Sequence, residues 1–297
     1  MIGRATTALQ AEQAEQPERA EQAEQSERAE QADRFDRFDR FDPVPLDELV
    51  RDAALLTRVD RKYLVPLATA RALVEGLDQR TRVLEIAGRR NFGYDSVYFD
   101  TPDHLSYRLT AQRRRRRFKL RTRSYLDTGT AFLELKTKSG RGTTVKERAE
   151  YDPEHRSVLT PEGCAYLAGL LSGHGHDPGL VRELRPSLVS RYRRATLLLP
   201  DGSRATMDTQ LSWSDCSQGG EQPATLLPGH AILESKSAGP PNALDRALWR
   251  TGHRPTGISK FGTGTAALHP ELPGNKWART LSGPFAHSTT TSHQLNR

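Results

Sequence analysis

In Phe118-Lys119-Leu120-Arg121-Thr122-Arg123 every second residue is a cation, and Phe, Leu and Thr fill the gaps. The same alternation recurs in Phe132-Leu133-Glu134-Leu135-Lys136-Thr137-Lys138, in Thr144 to Arg148, in Ser190-Arg191-Tyr192-Arg193 and in Ile232-Leu233-Glu234-Ser235-Lys236. A strand turns successive side chains to opposite faces. Each segment therefore gathers its Lys, Arg and occasional Glu on one side. A fold built from such strands has an apolar sheet face that must be covered and a second face dense in positive charge. Shared like charge repels itself unless a counter-ion lies among it. The pattern points to a polyanion, with a metal where the carboxylates stand.

Charge along the chain sharpens this. The 297 residues carry a formal +7, but residues 1–42 hold six Arg against eleven Asp or Glu. The remainder then holds 38 basic and 26 acidic residues, a net of +12. That balance favours nucleic acid, phosphate or a membrane surface as partner. Hydrophobic content is 35 %, low enough to predict that part of the chain does not fold. Cys164 and Cys216 are the only cysteines, too few for a disulfide framework or a zinc site. No stretch reaches the length of a membrane span, and the Gln- and Glu-rich start lacks the apolar core of a signal peptide. The expected location is cytoplasmic, free or peripheral at the inner membrane face.

Residues 11–37 repeat with a period of nine: AEQAEQPER, AEQAEQSER, AEQADRFDR. Residues 1–42 are read as a disordered low-complexity extension, 43–269 as the folded domain and 270–297 as a disordered, Ser-, Thr- and Gly-rich tail. Helical spacing predicts helices from Leu46 to Leu56 and Leu67 to Leu77. Thr160-Pro161 predicts a capped start for a helix to Leu171, and Asn242 one for a helix to Trp249. Strands are expected at Arg61–Val65, Asn91–Phe99, Lys119–Tyr125, Ala131–Lys138, Thr144–Tyr151, Ser187–Leu199, Ser203–Leu211 and His230–Lys236. Turns are placed at Asp127 to Thr130, Ser139 to Gly142 and Pro200 to Gly202. The fold class is α+β, mainly antiparallel β: an eight-stranded tunnel-like barrel with a charged interior and flanking helices.

Arg113 to Arg117 reads first as a solvated loop or nucleic-acid patch. Glu134-Leu135-Lys136 and Glu234-Ser235-Lys236 each place a Glu beside a Lys on one strand face. Phosphoryl transfer uses that mixture: cations neutralise phosphate oxygens, and a carboxylate holds the divalent ion bridging them. Ser139 to Gly142 and Gly262 to Thr265 lack the Gly-Lys-Ser/Thr ending of a P-loop. The nine histidines fall mostly in loops and the tail and show no metal-ligand spacing.

Eight segments occur in order: Arg61-Lys62-Tyr63, Ser96 to Asp100, Lys119 to Arg123, Glu134 to Lys138, Val145 to Arg148, Arg204 to Asp208, Leu233 to Lys236 and Ile258 to Phe261. This series resembles the VTC domain, the polyphosphate polymerase module of the vacuolar transporter chaperone family, within the CYTH-like triphosphate tunnel metalloenzymes. The resemblance implies a tunnel in which ATP is bound, Mn²⁺ or Mg²⁺ bridges its phosphates, and a phosphate or polyphosphate end attacks the γ-phosphoryl group. It assigns the reacting phosphates to Lys62, Arg121, Arg123, Lys136, Arg191 and Lys260. It assigns further substrate contacts to Lys119, Lys138, Lys146, Arg193, Arg204, Lys236 and Ser259. Glu234, with Asp208 as helper, is assigned the metal. The implied partners are ATP and polyphosphate and no sequence-specific nucleic acid. With no transmembrane segment expected, a separate membrane partner is left open.

Tunnel triphosphatases open with Glu-x-Glu-x-Lys, whereas this chain reads Arg58-Val59-Asp60-Arg61-Lys62. The lost first acid favours the VTC branch over a tunnel (nucleoside) triphosphatase. A third reading, a non-catalytic polyanion- or RNA-binding module, rests on the arginine run. It has only Tyr107, Phe118 and Tyr125 nearby as stacking aromatics.

Overall fold

The computed structural model describes residues 38–52, 59–138 and 144–291. The AEQ repeats, the second half of the helix expected to run to Leu56, the turn at Ser139–Gly142 and residues 292–297 lie outside the described residues. In chain order the elements are β1 (Asp42–Val44), α1 (Leu46–Asp52), β2 (Val59–Pro66), α2 (Leu67–Glu75), β3 (Arg82–Leu84), β4 (Phe92–Asp100) and α3 (Leu105–Ala111). Then come β5 (Arg117–Tyr125), β6 (Thr130–Lys138), β7 (Thr144–Tyr151), α4 (Pro161–Gly173), β8 (Arg185–Leu198) and β9 (Arg204–Asp215). The chain continues with β10 (Ala224–Leu226), β11 (His230–Ser237), α5 (Ala243–Arg250), α6 (Lys260–Leu268), α7 (Ala278–Ser282) and β12 (Thr289–Thr291). The class is α+β with a mainly antiparallel sheet, as the alternation predicts.

Eight long strands run in the order β7-β6-β5-β4-β8-β9-β11-β2, each antiparallel to its neighbours. The short strands attach to inner strands of this path: β3 beside one end of β8, with β1 parallel to it, and β10 with β12 beside one end of β9. The hairpins form where turn chemistry allows. β5 turns into β6 through Gly129 at φ 64°, and β8 into β9 through Gly202 at φ 75°, a backbone region that costs glycine little.

The expected closure of the barrel is corrected. Among the described residues β7 pairs only with β6 and β2 only with β11, so no ladder joins the two edge strands there. Both edges aim lysines at the same hollow, Lys62 from β2 and Lys146 from β7. Lys136, which pairs with Lys146, is already repelled by Lys62. Closing the seam would press these charges together.

The two sheet faces separate by chemistry. On the convex side Val97, Phe99, Phe118, Leu120, Leu133 and Leu135 pack against Leu167 and Leu171 of α4 and against Val181 and Leu184. Thr160 caps α4, its hydroxyl accepting from Gly163 N at 3.1 Å with Pro161 following. α5 is fixed behind β2 and β11 by Asp245, which accepts from Tyr63 Oη (2.7 Å) and Ser235 Oγ (2.6 Å). The concave side is divided. One part is charged, and the other is filled by Tyr98, Tyr192 and Trp213 packed with Phe261, Trp277 and Phe285.

That packing corrects the reading of a disordered tail for residues 270–291. Residues 270–291 join the same compact unit, Trp277 and Phe285 enter the core, and Thr289–Thr291 pairs with β10. Two aromatics spaced for burial outweigh the polar composition around them. Cys164 and Cys216 are free thiols. No helix among the described residues is long and apolar enough to cross a membrane.

Helix α6 was not foreseen, because Gly262 and Gly264 weaken its helical propensity. A Cβ at Gly264 would collide with the Trp213 ring, and one at Gly262 with the Trp277 ring. The glycines let two indoles lie against the helix. Gly264→Ala gains about 1 kcal/mol of helix propensity. It loses about 1–3 kcal/mol or more to overpacking. The expected net result is a lower unfolding midpoint in a denaturant titration; an unchanged or higher midpoint refutes the close fit.

Candidate functional site

The charged part of the concave face is a cavity of about 380 Å³. Register explains which side chains reach it. Arg121 pairs with Tyr98 on one side and Glu134 on the other, and Glu134 with Arg148. One row along, Lys119, Lys136 and Lys146 stand directly opposite one another on β5, β6 and β7. From the other half come Arg194 and Asp208, paired across β8 and β9, and Lys62 and Glu234, paired across β2 and β11. The first turn of α6 closes one end with Ile258, Ser259, Lys260 and Phe261. Among the described residues nine cations and four carboxylates line the hollow.

The carboxylates organise the cations. Glu134, 2 % exposed, takes Arg121 (Nε 2.7 Å, Nη2 2.6 Å) and Lys146 (2.5 Å). Burial of this carboxyl is outweighed by Arg121, Arg123 and Lys146, which hold it well below the usual carboxylate range. Asp208, 1 % exposed, receives Arg194 on both oxygens (2.5 and 2.8 Å) and Lys260 on Oδ2. Burial opposes its ionisation, but Arg194 and Lys260 prevail and hold it at about 2. Glu234 pairs through Oε1 with Lys62 and, at 3.6 Å, with Lys236. Despite burial, those two lysines hold it below the ordinary range.

Cations remain in excess. Burial, then repulsion by Lys136, Lys276, Arg117 and Arg121, pushes the Lys119 ammonium down to about 7. Burial also brings Lys236 and Lys260 down to about 8, against the pull of Glu234 and Asp208. Aromatic rings steady several of them: Lys260 Nζ lies 4.0 Å from the Tyr192 centroid, and the Arg121 guanidinium 5.7 Å from that of Tyr98. Lys119 Nζ is 3.0 Å from Ser259 Oγ, which also caps α6 by accepting from Gly262 N at 3.2 Å. With its oxygen so engaged, the Ser259 hydroxyl proton is the part of the group left to donate, and the helix N-terminus beside it adds favourable potential for an anion.

Of the residues singled out from sequence, the structure gathers Lys62, Lys119, Arg121, Arg123, Lys136, Lys146, Lys236, Ser259, Lys260, Glu234 and Asp208 around one cavity. Four are elsewhere. Arg191 points to the convex side, where it binds Asp95 (Nε to Oδ2 3.0 Å) and Glu221. Arg193 shares that face and donates to Asn91 O at 2.7 Å. Lys138 stands opposite Arg117 one row beyond the cavity, and Arg204 at the start of β9, opposite Lys236 and outside the lining. Arg194 was missed. The run Arg191-Tyr192-Arg193-Arg194 offers cations in both phases of a strand, and pairing with Tyr94, Ser96 and Tyr98 selects the even one.

Asp208, assigned to a metal as helper of Glu234, is paired with cations in the structure. Both its oxygens are committed to cations, and a carboxylate so engaged has little to offer a divalent ion. Among the described residues no three His, Cys, Asp or Glu side chains converge as a ligand set. Both ion pairs of Glu234 fall on Oε1. Its second oxygen fits a hard cation that takes one carboxylate and completes its shell with water and phosphate oxygens.

Solved structures of similar shape include a candidate adenylyl cyclase from Hippeastrum, described as having a dominant triphosphatase activity. It is 17 % identical over 71 % of this chain and 96 % of its own, with a TM-score of 0.43. A protein from Pyrococcus horikoshii is 12 % identical over 72 % of this chain and 99 % of its own, with a TM-score of 0.40. A candidate adenylate cyclase from Vibrio parahaemolyticus is 15 % identical over 66 % and 83 %, with a TM-score of 0.33. At these identities and TM-scores the likeness lends this chain no activity. No curated protein matches the sequence. The VTC domain family model matches residues 57–269, well over half of the chain. Every cavity-lining residue, from Asp60 to Phe261, falls inside that span, and the chain belongs to the VTC domain family.

Proposed function

We propose that the chain is an ATP-dependent polyphosphate polymerase. The observation that carries this reading is the convergence of nine cations and four carboxylates on one cavity, with a standing excess of positive charge. A linear oligophosphate, thin and charged along its whole length, suits such a lining better than a duplex nucleic acid does. The terminal oxygen of a phosphate or polyphosphate acceptor forms a bond to the γ-phosphorus of ATP. The bond from that phosphorus to the β–γ bridging oxygen breaks, and ADP leaves with the electron pair. Such transfer calls for positioning and charge neutralisation rather than a covalent intermediate.

Arg121, Arg123, Lys136 and Lys146 hold one stretch of phosphates, and Lys62, Arg194, Lys236 and Lys260 the other. Ser259 donates its hydroxyl proton to a phosphate oxygen beside the α6 N-terminus. Glu234 would hold Mn²⁺ or Mg²⁺, whose charge would supply further neutralisation of the transferring group.

Incubation of the pure protein with ATP and Mn²⁺ is expected to yield ADP and chains longer than pyrophosphate, read on a gel. Glu234→Gln is expected to lower the rate by about 10²-fold or more. ATP turnover that releases only orthophosphate would instead make water the acceptor and the protein a triphosphatase. Salt-sensitive RNA binding with no turnover would leave a polyanion-binding module.

A further inference from the structure

The excess of cations does not stop at the cavity. Arg117 and Lys138 stand directly opposite each other on β5 and β6, one row beyond the facing lysines Lys119 and Lys136. Like charges directly opposite in a sheet are destabilising, and here two successive rows carry them. Lys276, from the far end of the chain, approaches this outer row closely enough to be repelled by Arg117 and Lys138. Its Nζ donates to Thr110 O at 3.1 Å, just ahead of the arginine run, and lies 5.0 Å from the centroid of Trp277. Trp277 is itself pinned, donating to Gly257 O at 2.9 Å and packing on Gly262. Lys276 is therefore held in place by the core, unlike a lysine on a frayed tail.

Among the described residues neither Arg117, Lys138 nor Lys276 forms an ion pair with a carboxylate. We propose that Lys276, Arg117 and Lys138 form a second phosphate subsite at the cavity mouth, which grips the part of a linear inorganic polyphosphate that the cavity cannot contain. This rests on the reading of the cavity as an oligophosphate site. A hollow of about 380 Å³ has room on the order of a dozen water volumes, so a long chain must emerge from it. The two sites share one field. Burial, then repulsion from Arg117, Arg113 and Lys138, brings the Lys276 ammonium down to about 8, and Lys119 inside the cavity is repelled by Lys276 and Arg117. An anionic chain crossing the mouth would relieve all of these contacts together. Lys276 lies beyond the family match at 57–269, so this grip is a feature added by the C-terminal segment.

The test compares tripolyphosphate with long-chain polyphosphate as probes, titrated against the full chain by calorimetry at several salt concentrations. Lys276→Met keeps the stem over Trp277 and removes the charge. It is expected to weaken long-chain binding about tenfold and to reduce the slope of log affinity against log salt by about 0.7. Tripolyphosphate binding is expected to change far less than long-chain binding, and Lys276→Arg to restore the long-chain affinity. Unaltered long-chain binding in Lys276→Met overturns the subsite while leaving the cavity reading intact. Equal weakening of both probes also overturns it, since Lys276 would then act on the cavity itself. A wild-type chain that binds neither probe removes the cavity reading and the subsite with it.

Discussion

Arg194→Ala is expected to weaken tripolyphosphate binding by about 10²-fold, the cost of losing a buried, hydrogen-bonded charge. Arg191→Ala is expected to leave it nearly unchanged. The two residues lie three apart on one strand and differ in the face they take. Arg194 stands over Tyr94 and Tyr192 in the cavity, bound to Asp208. Arg191 stands on the convex side with Asp95 and Glu221. Removing Arg194 takes away a phosphate donor and also leaves Asp208 less neutralised, so its negative charge works against the ligand. Calorimetric titration of both variants, below their melting temperatures, decides the matter. Equal losses in the two would mean that β8 is phased differently from the register described above.

Asp208→Asn is expected to destabilise the ligand-free protein by about 3–5 kcal/mol, because it strands Arg194 and Lys260 as buried charges without a counter-charge. For a domain of this size that is a fall of about 10 °C in melting temperature. Tripolyphosphate should then protect the variant more than the wild type, since its oxygens replace the missing carboxylate. At a hundredfold excess over its dissociation constant a ligand adds about 2.7 kcal/mol. A melting temperature that does not move without ligand contradicts the ion-pair role. The same outcome, combined with lost metal dependence, would return Asp208 to the metal. Differential scanning fluorimetry with and without tripolyphosphate, first without and then with Mn²⁺, separates these cases.

Much of this was legible from residue order. Hairpin turns at Asp127–Gly129 and Pro200–Gly202, the Thr160 and Asn242 caps and the alternation in β5, β6 and β11 are local features, and local chemistry suffices to place them. The cavity's strand cations follow from the same period of two wherever each strand offers cations in a single phase. β8 does not, and there the reading placed Arg191 and Arg193 on the wrong side.

Other features depend on contacts distant in sequence. In β9 the pairing slips opposite Tyr192, and Gln210 takes φ 50°, so two residues oppose one. That bulge puts Asp208 and Trp213 on the same concave face although they lie five positions apart, an odd step. Helix α6 was hidden by its glycines, whose purpose appears only once Trp213 and Trp277 lie against them. Residues 270–291 look like a tail by composition, and their burial depends on an apolar surface made by other segments.

The sequence by itself determined that a cationic strand face exists, that its opposite face needs a cover, and that the folded part seeks an anion. A strand's two-residue period and the sum of its charges are intrinsic to the chain. The tertiary structure alone decided which arginine of β8 enters the cavity, that Asp208 pairs with Arg194 and Lys260, that the sheet stays open between β2 and β7, and that Lys276 lies beside Thr110. Each of these depends on register, a bulge or packing between residues far apart in the chain, and no local pattern encodes such distances.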